Sequence, residues 1–163
     1  MLHTGETEEV SSNQHIIIIC PQHNQMIETH PIEFQTRGEG DILRITDEIQ
    51  QILTKSGVKE GIVVVFLQST TASVLIIEYE EGLLLDFKNA MERLAPKKAL
   101  YHHENAWHDG NGHSHIRATA TGQSLTLPIS SGLLLLGQWQ QVILVEFDVR
   151  PRTRTLIVQI QGE

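Results

Sequence analysis

Five of the nine histidines fall within fifteen residues, Tyr101–His115, which read YHHENAWHDGNGHSH. Imidazole is a common metal ligand and the side chain whose charge changes nearest neutral pH, so chemistry is expected here. His113 and His115 stand two apart. If GHSHIRA opens a strand, both rings lie on one face and can meet a single ion. His103 lies ten residues before His113, across the turn-forming DGNG (109–112). A loop folding back would bring its nitrogen to the same ion. Three protein ligands with an open position form the catalytic type of metal site. The expected cofactor is a divalent ion, zinc first and magnesium second; imidazole also suits copper, iron and nickel. The plainer alternative is a solvated histidine loop whose rings bond backbone carbonyls. DGNG also resembles part of a calcium loop, but Ser114 stands at the required glycine, so an EF-hand is excluded.

Other residues are candidates to work beside these histidines. Gln68–Ser73 (QSTTAS) follows an apolar run, and Ser69, Thr70 and Thr71 offer hydroxyls and amides for an anion, or form an ordinary polar loop. Arg117, two beyond His115, would share the histidine face and clamp a phosphate. Asp109 and Asn111 of the DGNG turn are expected as a catalytic carboxylate and a substrate-binding amide. Glu78 sits inside VLIIEYE and Glu146 inside ILVEFDV, where an unpaired carboxylate would be costly. Each therefore needs a cation or donor, either the histidine site or a plain salt bridge. Asp86, one residue before Phe87 on a helix, is a second candidate base or a solvated charge. Arg150, Arg152 and Arg154 around Pro151 read as mostly solvated. A Walker-A loop, a strand-led GxGxxG and HExxH are all missing, and Cys20 has no motif that would make it a nucleophile.

The elements that must hold these residues can be read from hydrophobic periodicity. MIETHPIEFQT (26–36) alternates around Ile27, Ile32 and Phe34, with Pro31 suggesting an edge or a bend. Thr46 with Asp47 and Glu48 starts a helix, Ile49, Ile52 and Leu53 form its stripe, and Gly57 stops it. GIVVVFL (61–67) lacks alternation and reads as a strand buried on both faces, and VLIIEYE (74–80) as another. Leu84, Phe87, Met91 and Leu94 recur at helical spacing as a core-packing stripe before Pro96. After the histidines the chain reads as strands at 116–120, 124–129, 133–136, 141–149 and 153–161, parted by short turns, as in an antiparallel meander. The expected fold is α+β: a single β-sandwich-dominated domain with two helices. It spans 26–163, preceded by an extension, 1–25, whose HIIIIC would add an edge strand or pack on a neighbour.

The 163 residues match one domain. That is enough to bury roughly 70% of the unfolded surface without disulfides. A net charge of −8 leaves too few Lys and Arg for a nucleic-acid scaffold, which depends on phosphate contacts. One cysteine allows no internal disulfide, the isoleucine run is too short for a membrane span, and the acidic start is no secretory signal. A cytoplasmic protein bound to neither membrane nor nucleic acid is expected.

Nine strings in one order carry a specific resemblance: GEGDI (38–42), STTAS (69–73), IEYEEGLLLDF (77–87), LAP (94–96), WHDGNGHSHIRA (107–118), GQSLTLPI (122–129), LGQWQQ (136–141), VEFDVRPR (145–152) and QGE (161–163). From about Met26 to Glu163 the chain resembles the YjbQ family, an uncharacterised family also labelled secondary thiamine-phosphate synthase. The resemblance implies a compact β-sandwich with helices, a homotrimer with pockets near subunit contacts, and a metal or anion site at His103, His113 and His115. It also implies thiamine-phosphate synthesis, joining a pyrimidine diphosphate to a thiazole phosphate, as a main or side activity. Ser69 stands where many relatives carry a histidine, and Gln138 where they often carry threonine. The expected function is thus a metal-assisted enzyme acting on a small phosphorylated molecule. His103, His113 and His115 would hold the metal, Ser69, Thr70, Thr71, Asn111 and Arg117 the substrate, and Glu78, Asp86 and Asp109 would serve catalysis. The rivals are a non-catalytic module that binds a metal or phosphorylated ligand, and a metal-dependent hydrolase.

Overall fold

A run such as VILV in a strand sends alternate side chains to opposite sides, so it stands between two apolar layers. The computed structural model, which describes residues 16–20 and 25–163, shows this for strand β8 (Gln140–Glu146). Val142 and Leu144 enter one core, Ile143 and Val145 another. β8 is the centre of a three-stranded sheet with β3 (Ile42–Arg44) and β5 (Ala72–Glu78). A second sheet of six strands runs β1 (Ile16–Cys20), β2 (Gln25–Thr36), β9 (Arg152–Gly162), β4 (Gly61–Leu67), β6 (Ser124–Ser130) and β7 (Leu133–Leu134). All neighbours are antiparallel.

The larger core lies between the sheets. Val63, Val65 and Leu67 of β4 and Leu156, Val158 and Ile160 of β9 meet Val74, Val142 and Leu144. Helix α1 (Thr46–Ser56) adds Ile49 and Leu53 to that layer and stops at Gly57, left-handed at φ 78°. Thr46 does begin the helix, but its hydroxyl accepts the Val142 amide at 2.9 Å instead of capping its own first turn. The smaller core, on the far side of the three-stranded sheet, is covered by Leu84, Phe87 and Met91 of α2 (Glu81–Leu94) and by Ala118 of α4 (Gly112–Thr121). A short α3 (Glu104–Trp107) precedes α4.

The result is a mixed α/β domain rich in strands, as expected, with four helices among the described residues where the sequence suggested two. The apolar stripe of α2 is only half-buried, and its last member, Leu94, is 52% exposed. GIVVVFL is not buried on both faces: Ile62 and Phe66 open outward while Val63, Val65 and Leu67 go in. The strands of the second half form no meander, because β8 leaves for the smaller sheet and β9 inserts between β2 and β4. The isoleucine run is an edge strand, β1, paired with β2 from Ile16↔Thr29 to Cys20↔Gln25. The rest of the proposed extension, 1–15 and 21–24, lies outside the described residues.

Candidate functional site

The decisive local difference is α4. His113, Ser114, Arg117 and Ala118 are its buried side chains, a helical stripe made mostly of polar residues. The expected strand at 116–120 is therefore a helix, and residues two apart on a helix point about 200° apart. His113 and His115 consequently face different surroundings. His113, only 1% exposed, reaches Oε1 of Glu39 with Nε2 at 3.1 Å. The ring of His115 instead packs on His103, with centroids 4.4 Å apart and planes at 51°. Among the described residues no three His, Cys, Asp or Glu side chains are grouped as a metal ion would require. The three-histidine ligand set does not fit this arrangement, because α4 turns His113 away.

The surroundings of the His103–His115 pair are built by the loop before α4. Glu104 accepts the Gly110 amide at 2.8 Å and the Gly112 amide at 3.1 Å, drawing 109–112 into a closed turn. Those two bonds hold the Glu104 carboxyl below the usual carboxylate range. Gly112 packs so tightly on Tyr101 that a Cβ there would lie 2.5 Å from the Tyr101 Cβ. His108 takes a left-handed conformation, φ 52°, at the end of α3. The turn places Asp109 Oδ1 3.8 Å from His103 Nε2. That oxygen and Oδ1 of the buried Asn111 have no hydrogen-bond partner among the described residues.

His115 is half-buried beside the loop after β4, where it bonds to the Thr70 backbone. Burial and the neighbouring His103 push its proton affinity below the ordinary imidazole value; Asp109, Asp148 and the Thr70 bond pull the other way and do not prevail. Ser69 is half-buried, Thr70 exposed and Thr71 buried. Ser69 Oγ accepts the Thr71 amide at 3.1 Å, which tightens the turn. Behind it lies an ion network between the sheets. Arg154 grips the fully buried Glu146 through Nε (2.6 Å) and Nη2 (2.5 Å), and Nη2 also donates to Thr71 Oγ1 at 2.7 Å. Thr71 donates to Asp148, which Arg152 also holds.

Several expected roles move. The Arg117 guanidinium is not available as a phosphate clamp. Its Nη1 bonds Glu39 at 2.9 Å, its Nη2 bonds Glu92 at 2.5 Å, and Nε and Nη2 both bond the Ala95 carbonyl at the end of α2. Glu78 is exposed at the end of β5 and needs no buried partner, and Asp86 is exposed on α2. Glu146 does find its cation, but in Arg154, which is buried and not solvated as expected. Sequence reasoning missed Glu39, where His113, Arg117 and Lys97 converge. Burial would raise the Glu39 proton affinity, yet Lys97, His113 and Arg117 together draw it down. A glutamate between two glycines in a turn carries no signal of that role.

The family model of the UPF0047 protein YjbQ-like family matches residues 30–163. The chain belongs to the YjbQ family. A UPF0047 protein of Archaeoglobus fulgidus is 37% identical over 78% of this chain and 97% of its own length. The UPF0047 protein YugU of Bacillus subtilis is 30% identical over 80% of this chain and 97% of its own. Among solved structures, a YbjQ-like protein of unknown function from Sulfolobus solfataricus superposes with a TM-score of 0.76 at 30% identity, covering 84% of this chain and 99% of that one. A YjbQ/UPF0047 protein of Clostridium acetobutylicum gives 0.70 at 33% identity over 79% and 98%. These YjbQ-like neighbours share the fold that brings His103, His115 and the Ser69–Thr71 turn together here.

Proposed function

We propose that this YjbQ-family chain is an enzyme acting on a small phosphorylated substrate, with His103 and His115 as its working pair. The observation that carries this reading is the tilted contact of the two imidazoles, 4.4 Å between centroids, beside the polar turn at Thr70. Two imidazoles so placed bring two groups that can donate or accept a proton to one small space, which suits a reaction that builds negative charge on an oxygen. The reaction class is transfer to a ring nitrogen, as in thiamine-phosphate synthesis. The carbon–oxygen bond of a pyrimidine-methyl diphosphate breaks, and the diphosphate leaves with the electron pair. The thiazole nitrogen lone pair closes the new carbon–nitrogen bond. His103, with Asp109 near its Nε2, donates a hydrogen bond to the departing oxygen, and the neutral His115 orients it. No step passes through a resident metal.

The test is synthesis from a pyrimidine diphosphate and a thiazole phosphate, read by product mass, with the diphosphate alone as a control. Product from both substrates, lost in His115→Gln, supports the transferase. Hydrolysis of the diphosphate alone would replace it with a hydrolase. Saturable binding of either compound without turnover would leave only a binding module. Stoichiometric metal in chelator-free protein, lost in His115→Gln, would overturn the metal-free mechanism.

The same reading includes assembly into a homotrimer. It is supported by large apolar side chains open to solvent, among them Leu85, Leu94, Trp107 and Trp139.

A further inference from the structure

Arg117, the arginine that stood out in the histidine stretch, has its guanidinium enclosed by Glu39, Glu92 and the Ala95 carbonyl. Arg154 is held differently. Its side chain is 10% exposed, and its Nε and Nη2 are committed to Glu146 and Thr71. Its Nη1, with two further N–H groups, bonds to no acceptor among the described residues. A guanidinium has five donors in a fixed fork, so a carboxylate on one edge leaves another edge for a ligand.

Arg154 lines a solvent-open cavity of about 500 Å³ at the surface, between the ends of β4 and β9 and the turn after β4. Its companions are Gln68, Ser69, Thr70 and Gln123 with Phe66 and Leu67, so the one charged residue in the lining is a cation and no carboxylate faces in. The Ser69 oxygen already accepts the Thr71 amide, which leaves its own O–H to donate. The Thr70 hydroxyl is exposed at the rim, and the backbone of the same residue bonds His115. Phe66, 46% exposed, supplies an apolar wall. Glu146 and Asp148 lie behind the guanidinium, so an anion is held by directed hydrogen bonds and not by a large excess of charge.

We infer that Arg154, with Ser69 and Thr70, is the phosphate seat of this protein, in the cavity between β4 and β9, and that Phe66 receives the organic body of a phosphate ester. Because it names the seat for the proposed enzyme, it rests on that reading of a phosphorylated ligand. Binding can nevertheless be measured without turnover.

The experiment is a titration of the ¹⁵N-labelled full chain with inorganic phosphate and with phenyl phosphate at constant ionic strength. Backbone amides and arginine Nε–H signals are followed by NMR. Saturable shifts at Ser69, Thr70 and the Arg154 Nε–H are expected, with phenyl phosphate binding more tightly because of Phe66. In Arg154→Lys the affinity should fall about tenfold or more, the scale of one lost charge-assisted bond, while Arg117→Lys should leave it within about twofold. Shifts centred on the Arg117 Nε–H, or an Arg154→Lys protein that binds phosphate undiminished, would overturn the assignment. Should Arg154→Lys fail to fold, the wild-type shift map decides alone. Phosphate seated at Arg154 without turnover would refute the enzyme and keep the seat. Turnover with no binding at Arg154 would do the reverse.

Discussion

His115 and His113 differ by two positions and by everything that surrounds them. His115 shares its space with His103 and the Thr70 backbone, so replacing it should strike activity before stability. His115→Gln is expected to lower synthesis about 100-fold, the scale at which a misplaced catalytic group costs rate, while its urea midpoint stays near that of the wild type. His113 is enclosed, and burial holds its proton affinity below the ordinary imidazole value, with Glu39 pulling upward but not far enough. The unfolded chain therefore takes up a proton near pH 6.5 that the folded His113 refuses. Stability from the neutral ring is complete above that pH and declines as pH falls through it, by at most about 1.4 kcal/mol per pH unit for one group. His113→Phe should flatten the change in unfolding free energy between pH 7 and 5.5, measured by urea titration. An unchanged slope would refer the pH dependence to other groups, His115 first, whose affinity is lowered in the same direction.

At the level of elements, the site depends on how closely the α3–α4 turn is folded. Glu104 ties Gly110 and Gly112, and Gly112 leaves the room that Tyr101 occupies. A methyl group at Gly112 would meet Tyr101 Cβ and Cγ at 2.5 and 2.8 Å, so one of them must move. Gly112→Ala should destabilise by about 1–3 kcal/mol through overpacking. It should also lower activity, because Asp109, 3.8 Å from His103, rides on the displaced turn. Chemical denaturation and the synthesis assay read the two effects separately, and an alanine variant with wild-type values for both would show that the turn accommodates the methyl. Helix α2 packs Leu84, Phe87 and Met91 on the smaller core and is tied at its C-terminal end, where Arg117 bonds the Ala95 carbonyl and Glu92. That position makes Arg117 a fastener between two helices.

Across the whole molecule, Glu146 and Arg154 join the two sheets, one from β8 and the other from β9. Thr36 of β2 donates to the same carboxylate at 2.8 Å, and Asp148 N does so at 2.8 Å. Removing one member leaves a buried charge alone, so Glu146→Ala should cost about 3–5 kcal/mol. The double change Glu146→Ala with Arg154→Met should cost less than the sum of its parts; additive losses would mean the two side chains act independently. Among the described residues no helix is long and apolar enough to cross a membrane. The proposed trimer predicts a light-scattering mass three times the 18.3 kDa chain, and a monomer at that concentration would remove subunit pockets from consideration.

Much of the architecture was legible from periodicity. The runs that became β2, β4, β5, β6, β8 and β9 are rich in β-branched residues, and α1 and α2 carry apolar side chains at helical spacing, so local pattern and burial agree. The histidine cluster and the polar turn at 69–71 were also visible as residue types. What the pattern could not supply was α4, because three of its four buried side chains, His113, Ser114 and Arg117, are polar and only Ala118 is apolar. That one helix decided which histidines meet, and it did so through contacts 74 and 33 residues distant in sequence, Glu39 for His113 and the Phe147 carbonyl for Ser114. The different settings of Arg117 and Arg154 have the same cause. Both arginines look solvated or reactive in one dimension, and only the approach of distant carboxylates determines which guanidinium is closed off and which keeps a free edge.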